Sequence, residues 1–146
     1  MTTFKTRLRA RYAETDATGI VYYNSYFLYF EVGRVELFRE LELPYDWRLP
    51  IVETSCRFRA SARFDDLLEV QSEVEEIRTR AFRIRQRVYR VPAEDSAAAT
   101  GVHSPHPLLA EGYTVMMTQD ESGPIPLPDA FRKAFSKAHN GDGEKP

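Results

Sequence analysis

Residues 24–41, NSYFLYFEVGRVELFREL, carry apolar side chains on nearly every face: Tyr26, Phe27, Leu28, Tyr29, Phe30, Val32, Val35, Leu37, Phe38 and Leu41. The run is longer than a typical strand, and Leu43-Pro44 just beyond it marks a helix end, because proline disfavours the helical region for the residue before it. Asn24 or Ser25 can act as the N-cap, since either side chain can accept from an open backbone N–H. A helix that is apolar almost all round must be buried. The rest of the chain therefore has to wrap it.

The flanking sequence supplies material for that wrapping. Residues 4–12 alternate, with Phe4, Leu8, Ala10 and Tyr12 against Lys5, Arg7, Arg9 and Arg11. Residues 51–63 set Val52, Thr54, Cys56, Phe58 and Ala60 against Glu53, Ser55, Arg57 and Arg59. Residues 67–77 set Leu68, Val70 and Val74 against Glu69, Gln71, Glu73 and Glu75, and residues 81–91 set Phe82, Ile84 and Val88 against Arg83, Arg85 and Arg87. Period two with one polar face predicts half-buried strands. The acidic face of one strand and the basic face of the next predict antiparallel neighbours tied by cross-strand ion pairs. Residues 92–107, with three prolines and many small residues, read as a long mobile hairpin loop. Residues 108–118 read as a fifth strand. Residues 129–139 read as a short amphipathic helix with Phe131 and Phe135 one turn apart.

The expected class is α+β: a long buried helix wrapped by a curved antiparallel sheet of about five strands, in one domain over residues 1–140. Residues 141–146 are expected to be frayed. Sheet edges and leftover apolar surface favour pairing with a second copy. The length of 146 residues fits one core. A net charge of −2 gives no reason to expect nucleic acid. No stretch approaches the roughly 20 apolar residues a bilayer span needs, so no membrane partner is expected, and the first residues lack a secretory apolar core. The single Cys56 cannot form an internal disulfide, which suits a reducing cytoplasm. His103, His106 and His139 have no ligand set around them, and no metal site is expected.

The chemistry concentrates in residues 11–24, RYAETDATGIVYYN. Asp16 sits among small residues, just before the helix. The helix N-terminus at Tyr23 to Ser25 presents open N–H groups and the positive end of the dipole. A carbonyl oxygen placed there is polarised as in an oxyanion hole. A carboxylate nearby can attack the carbonyl or activate water. These are parts for acyl transfer or hydrolysis. A serine elbow is missing, and Cys56 falls on an inward strand face, so neither a serine nor a cysteine esterase is indicated.

The run TDATGIVYYNSYFLYFEVGRVELFRELELPYDW resembles the hotdog-fold acyl-CoA thioesterases of the 4-hydroxybenzoyl-CoA thioesterase family. Their pattern is an Asp, small residues, Gly-Ile/Val-Val, aromatics, then an aromatic-rich helix. Tyr23 stands where the branch associated with the Tol-Pal system has His, as in the hydroxybenzoyl branch; Asn24 stands where that branch has Pro. The likeness continues at Ala62 to Leu67, at Arg78 to Phe82 and at Leu109 to Gly112, and spans roughly residues 4–130. The loop at 92–107 departs from it.

The resemblance implies a hotdog fold that dimerises sheet edge to sheet edge, often as a dimer of dimers, with active sites at subunit interfaces. It implies that Asp16 is nucleophile or general base, that the Tyr23 backbone N–H polarises the carbonyl, and that Gly19 lets the loop turn. It implies that Arg78 and Arg80, with Thr79 beside them, contact coenzyme A phosphates, and Tyr26 is a candidate for the acyl pocket, Trp47 a lesser one. Coenzyme A enters as part of the substrate, with no other cofactor. An acyl carrier protein thioesterase and a non-catalytic acyl-binding or scaffold module are the alternatives. Elsewhere, Arg83, Arg85 and Arg87 are expected on a solvated face, Glu31 and Arg34 as an i, i+3 pair at a subunit contact, and Glu14 as an exposed loop acid.

Overall fold

The computed structural model describes residues 1–92 and 106–141. The loop expected over 92–107 and the tail expected over 141–146 lie almost wholly outside the described residues. Within them the order is β1 (Phe4–Arg9), a 3-10 turn (Tyr12–Glu14), α1 (Ser25–Glu40), β2 (Ile51–Phe58), β3 (Leu67–Ile77), β4 (Ala81–Val91), β5 (Leu108–Met117), a short hairpin of β6 (Gln119–Asp120) and β7 (Gly123–Pro124), and α2 (Asp129–Asn140).

Five antiparallel strands form one sheet in the order β1-β3-β4-β5-β2. The alternation decides which face looks inward: Leu68, Val70, Val74, Phe82, Ile84 and Val88 are fully buried. The opposite face carries the expected ladder of charges. Arg85 Nε meets Glu75 Oε1 at 2.8 Å, Arg87 meets Glu73 at 3.6 Å, and Arg7 meets Glu69 at 3.3 Å.

Two strands end earlier than alternation suggests, for the same reason. Past Arg9, the Ala10 N–H and C=O bond to Asp66 and Asp65, and the chain turns off into the 3-10 helix. Tyr12 is consequently 76% exposed, its ring edge-on to Phe64. Past Phe58, the Arg59 and Ala60 N–H groups both donate to the Leu109 carbonyl, which breaks the ladder. Arg90 then holds the departing segment, donating to the Ser61 carbonyl at 2.7 Å and to Asp66 Oδ2 at 3.2 Å.

Helix α1 crosses the inner face of the sheet. It buries Tyr26, Tyr29, Phe30, Gly33, Arg34, Leu37 and Phe38. Its far side is open in the single chain: Leu28 is 49% exposed and Val32 39%. One sheet covers only one side of a helix, so all-round apolarity does not mean all-round burial here. One core cluster packs Phe38 against Phe82, Phe131 and Phe135; a second packs Tyr26, Tyr29 and Phe30 against Leu68, Val70 and Leu109.

A polar belt separates these clusters. Arg34, only 3% exposed, donates to Gln86 Oε1 at 3.2 Å, Thr114 Oγ1 at 3.1 Å and the Tyr45 hydroxyl at 3.3 Å. Gln86 in turn donates to the Phe30 carbonyl at 2.7 Å and to Ser72 Oγ at 2.9 Å. The expected Glu31–Arg34 pair is therefore not formed. Arg34 turns inward to neutral acceptors, while Glu31 faces outward.

Candidate active site

Asp16 opens a tight turn. Its N–H donates to the Ile20 carbonyl at 2.8 Å, the Gly19 N–H donates back to the Asp16 carbonyl at 3.1 Å, and Thr15 bridges to Val21. Gly19 closes the turn at φ +83°, a left-handed conformation that favours glycine. The turn is moored to the segment after β2, where Ile20 bridges to Arg63 and the Val21 N–H donates to the Ala62 carbonyl.

Asp16 is half-buried as a residue, but its carboxylate is open to solvent and takes its hydrogen bonds on one oxygen. Asp16 Oδ1 accepts from the Thr18 hydroxyl at 2.6 Å and from the Thr18 backbone N–H at 2.8 Å. Oδ2 has no partner among the described residues. The two Thr18 donors, the hydroxyl foremost, hold the carboxyl below the usual aspartate range, so it is ionised at neutral pH.

The helix start is fixed by Glu14, which is a buried acid rather than an exposed one, at 7% exposure. Its carbonyl accepts from the Tyr22 N–H at 2.8 Å and from Ser25 Oγ at 3.1 Å. Its carboxylate accepts from the Arg11 N–H at 2.8 Å, Arg11 Nε at 2.9 Å and the Tyr29 hydroxyl at 3.0 Å. Asn24 is the cap position but makes no side-chain cap bond, and Ser25 is spent on Glu14. The Ser25, Tyr26 and Phe27 N–H groups donate to the carbonyls three residues back. The N–H groups of Tyr23 and Asn24 are left without an acceptor among the described residues, at the positive end of the helix dipole.

Asp16 and Tyr23 line one cavity of about 390 Å³. Ile20, Val21, Tyr22 and Tyr26 form one wall; Phe58, Arg59, Ala60 and Ser61 form the other. Tyr26 is locked there, its hydroxyl accepting from the Ala62 N–H at 3.0 Å and its ring 5.3 Å from that of Phe58. The Tyr23 ring, 57% exposed, stands edge-on to Phe58 at 6.3 Å. Of the residues expected at the site, Asp16, Tyr23 and Tyr26 line this cavity and Gly19 lies in the turn beside it, while sequence reasoning missed the Phe58–Ser61 wall. Its signal was faint: an apolar-charged alternation that runs on past the last ladder bond.

The basic link lies elsewhere. Arg78, Thr79 and Arg80 join β3 to β4 at the Ile77 end, while the Asp16 turn is moored next to the Leu67 end. An 11-residue strand separates them, roughly 30 Å of extended chain. Arg78 is engaged by Glu76 at 2.9 and 3.1 Å. The Thr79 and Arg80 carbonyls accept from Leu127 and Thr118, and no side-chain bond or ion pair of Arg80 occurs among the described residues. Trp47 lines a separate shallow depression with Arg48, Asp120 and Ser122, away from the Asp16 cavity. Burial pushes the Cys56 thiol up to about 11, which leaves it protonated and unreactive at neutral pH.

Residues 10–135 match the family described as the Thioesterase-like superfamily. An acyl-CoA thioesterase of Haemophilus influenzae is 33% identical over 94 residues, covering 60% of this chain and 69% of that protein. A Thermus thermophilus protein of known crystal structure is 34% identical, superposes with a TM-score of 0.78, and is covered over 98% of its length by 92% of this chain. A 4-hydroxybenzoyl-CoA thioesterase, crystallised as an Asp-to-Asn mutant with 4-hydroxybenzoyl-CoA, superposes with a TM-score of 0.77 at 20% identity, over 92% of this chain and 99% of that one.

Proposed function

The chain belongs to the Thioesterase-like superfamily and has the hotdog fold, and from that premise we infer that it is an acyl-CoA thioesterase, converting a coenzyme A thioester and water to a carboxylic acid and free coenzyme A. The observation that carries this reading is the cavity that Asp16 shares with Tyr23, whose N–H has no acceptor among the described residues. An open carboxylate oxygen and an open N–H at a helix start are what attack on a carbonyl requires. The thioester oxygen sits on the Tyr23 N–H, which stabilises the negative charge that develops there. Asp16 Oδ2 then acts in one of two ways. It attacks the carbonyl carbon, expelling the thiolate and leaving a mixed anhydride for water to cleave, or it takes a proton from an attacking water. Neither route needs a metal or a cofactor beyond the coenzyme A carried by the substrate. A thioesterase of the same fold that holds its substrate as an Asp-to-Asn mutant supports the assignment.

The working unit is a homo-oligomer. Strand β2 is an open sheet edge, with Ile51, Val52 and Phe58 about half exposed. Two β2 strands that pair antiparallel set the Ile51 end of one beside the Phe58 end of the other. The Ile51 end is bonded to its own β3–β4 link, through Met117 N–H to the Pro50 carbonyl and Thr118 N–H to the Arg80 carbonyl. Pairing therefore carries one subunit's Arg80 toward the other subunit's Asp16 cavity, which no single chain achieves. Guanidinium groups there suit coenzyme A phosphates. The open Leu28–Val32 side of α1 suits a further contact that joins dimers in pairs. A lone Cys56 suits a cytoplasmic setting.

Thiol release measured over aromatic and aliphatic acyl-CoAs, and over acyl groups on acyl carrier protein, tests the reading. Coenzyme A thioesters are expected to turn over in the wild type and to stop in Asp16→Asn. Silence of the wild type on every member would overturn the enzyme reading. Full activity of Asp16→Asn would overturn the mechanism.

A further inference from the structure

Thr18 stands two residues after Asp16 and turns its hydroxyl back on it. The hydroxyl lies 2.6 Å from Asp16 Oδ1, and the Thr18 backbone N–H lies 2.8 Å from the same atom. Both donors take one oxygen; the other is left free. Thr18 is exposed and does not line the cavity, whereas Asp16 does. The threonine therefore grips the carboxylate from behind. It does not touch the space a substrate would fill.

A carboxylate on a single backbone bond to Oδ1 could swing about its side-chain torsions. Aspartate's terminal torsion is broad, so rotation alone would exchange the two oxygens. A second donor on the same atom restricts that freedom and distinguishes the pair: Oδ1 is the anchored oxygen, and Oδ2 is the one left without a bond among the described residues. Displacement of a reacting atom by about 1 Å can cost on the order of 100-fold in rate.

We propose that the Thr18 hydroxyl is a positioning residue for the hydrolysis, fixing Asp16 so that Oδ2 alone is presented to the thioester. The proposal rests on the thioesterase reading of the same cavity, and it holds for attack by Oδ2 on carbon or on a water proton. It also sets a second consequence. The hydroxyl stabilises the ionised carboxylate, so its removal raises the pH at which Asp16 protonates.

The test compares Thr18→Val, Thr18→Ser and Asp16→Asn in the full chain on one acyl-CoA that the wild type hydrolyses. Valine keeps the shape and the backbone N–H and removes only the hydroxyl; serine keeps the hydroxyl. Thr18→Val is expected to lower the plateau kcat about 10-fold with KM within about twofold. Its acid limb in kcat/KM is expected at higher pH than in the wild type. Thr18→Ser is expected to restore both within about threefold. An unchanged plateau kcat in Thr18→Val overturns the proposal, as does a loss that serine does not repair. Equal thermal midpoints of the three variants separate misfolding from mispositioning, and a silent wild type or a fully active Asp16→Asn points instead to failure of the thioesterase reading.

Discussion

The Tyr29 hydroxyl donates to Glu14 Oε1 across 3.0 Å in the buried core. Tyr29 belongs to the second turn of α1, and Glu14 to the 3-10 turn that leads into the Asp16 loop. The bond thus ties the helix that offers the Tyr23 N–H to the loop that offers the carboxylate. The Glu14 carbonyl adds its bonds from Tyr22 and Ser25 to the same junction. Tyr29→Phe removes the donor and leaves Glu14 one bond short. We expect a loss of about 1–2 kcal/mol in stability, read from urea unfolding at pH 7, with kcat falling further than an equal destabilisation at α2 would bring about.

Acid should loosen the same junction. Burial pushes Glu14 upward, but the Arg11 backbone and side-chain bonds and the Tyr29 hydroxyl outweigh it, so its folded-state value lies below the ordinary 4.5. A carboxyl depressed on folding adds stability that is fully present above its unfolded value and is lost as pH falls through its folded value. Glu14→Gln should therefore flatten the decline of stability below about pH 4.5, although it lowers stability at pH 7. Unfolding midpoints of wild type and variant at pH 7, 5 and 4 check this. Parallel curves would contradict the role given to Glu14.

Gly33 is where helix and sheet touch most closely. A Cβ there would stand 2.6 Å from Val70 Cγ1, 2.7 Å from Gln86 Nε2 and 2.8 Å from Ser72 Oγ. Two of these atoms belong to the polar belt, and Ser72 and Gln86 are fully buried. Gly33→Ala should force the helix off the sheet or break the Gln86 bonds, at a cost of roughly 1–3 kcal/mol by overpacking. Calorimetric unfolding reads the loss. A neutral or stabilised Gly33→Ala would mean that the belt yields freely.

Period two made β1, β3 and β4 legible, because their burial follows their own repeat; the long apolar run made α1 legible although one of its sides stays open, and β2 and β5 form strands whose burial does not alternate. Helix α2 was legible from its own repeat, through Phe131 and Phe135, which close the core around Phe38. Asp16, Gly19, Tyr23 and Tyr26 were placed because they are close in sequence as well as in space. What eluded sequence reasoning depends on contacts between distant segments. Arg34 finds Gln86 and Thr114 on two strands, Glu14 is held by Tyr29, and Arg59–Ser61 join Phe58 at the cavity only after β2 leaves the ladder. No local period records those meetings.

Arg80→Ala tests the proposed role of the β3–β4 link in holding coenzyme A. If its guanidinium meets coenzyme A phosphates, Arg80→Ala should raise KM for coenzyme A thioesters about 10-fold and reduce the salt dependence of kcat/KM. Thioesters of N-acetylcysteamine carry no phosphate and should be hydrolysed equally by both proteins. Equal losses on both substrate types would remove Arg80 from phosphate recognition.

Val52→Lys tests the proposed pairing of β2 with a second copy. Val52 is 55% exposed and lies on the sheet edge, so in an isolated chain its replacement by lysine should change stability by no more than about 0.5 kcal/mol. When β2 pairs with the β2 of a second copy, the same change buries or confronts two cations across the seam, where like charges destabilise. Val52→Lys should therefore shift sedimentation toward the monomer and lower kcat/KM by at least about 10-fold, because the Asp16 cavity then lacks the Arg80 guanidinium that the proposed pairing brings to it. Raising the protein concentration should recover both assembly and activity together, as mass action requires. A monomeric Val52→Lys with wild-type turnover would show that one chain holds everything the reaction needs, and that the distance between Arg80 and Asp16 carries no functional meaning.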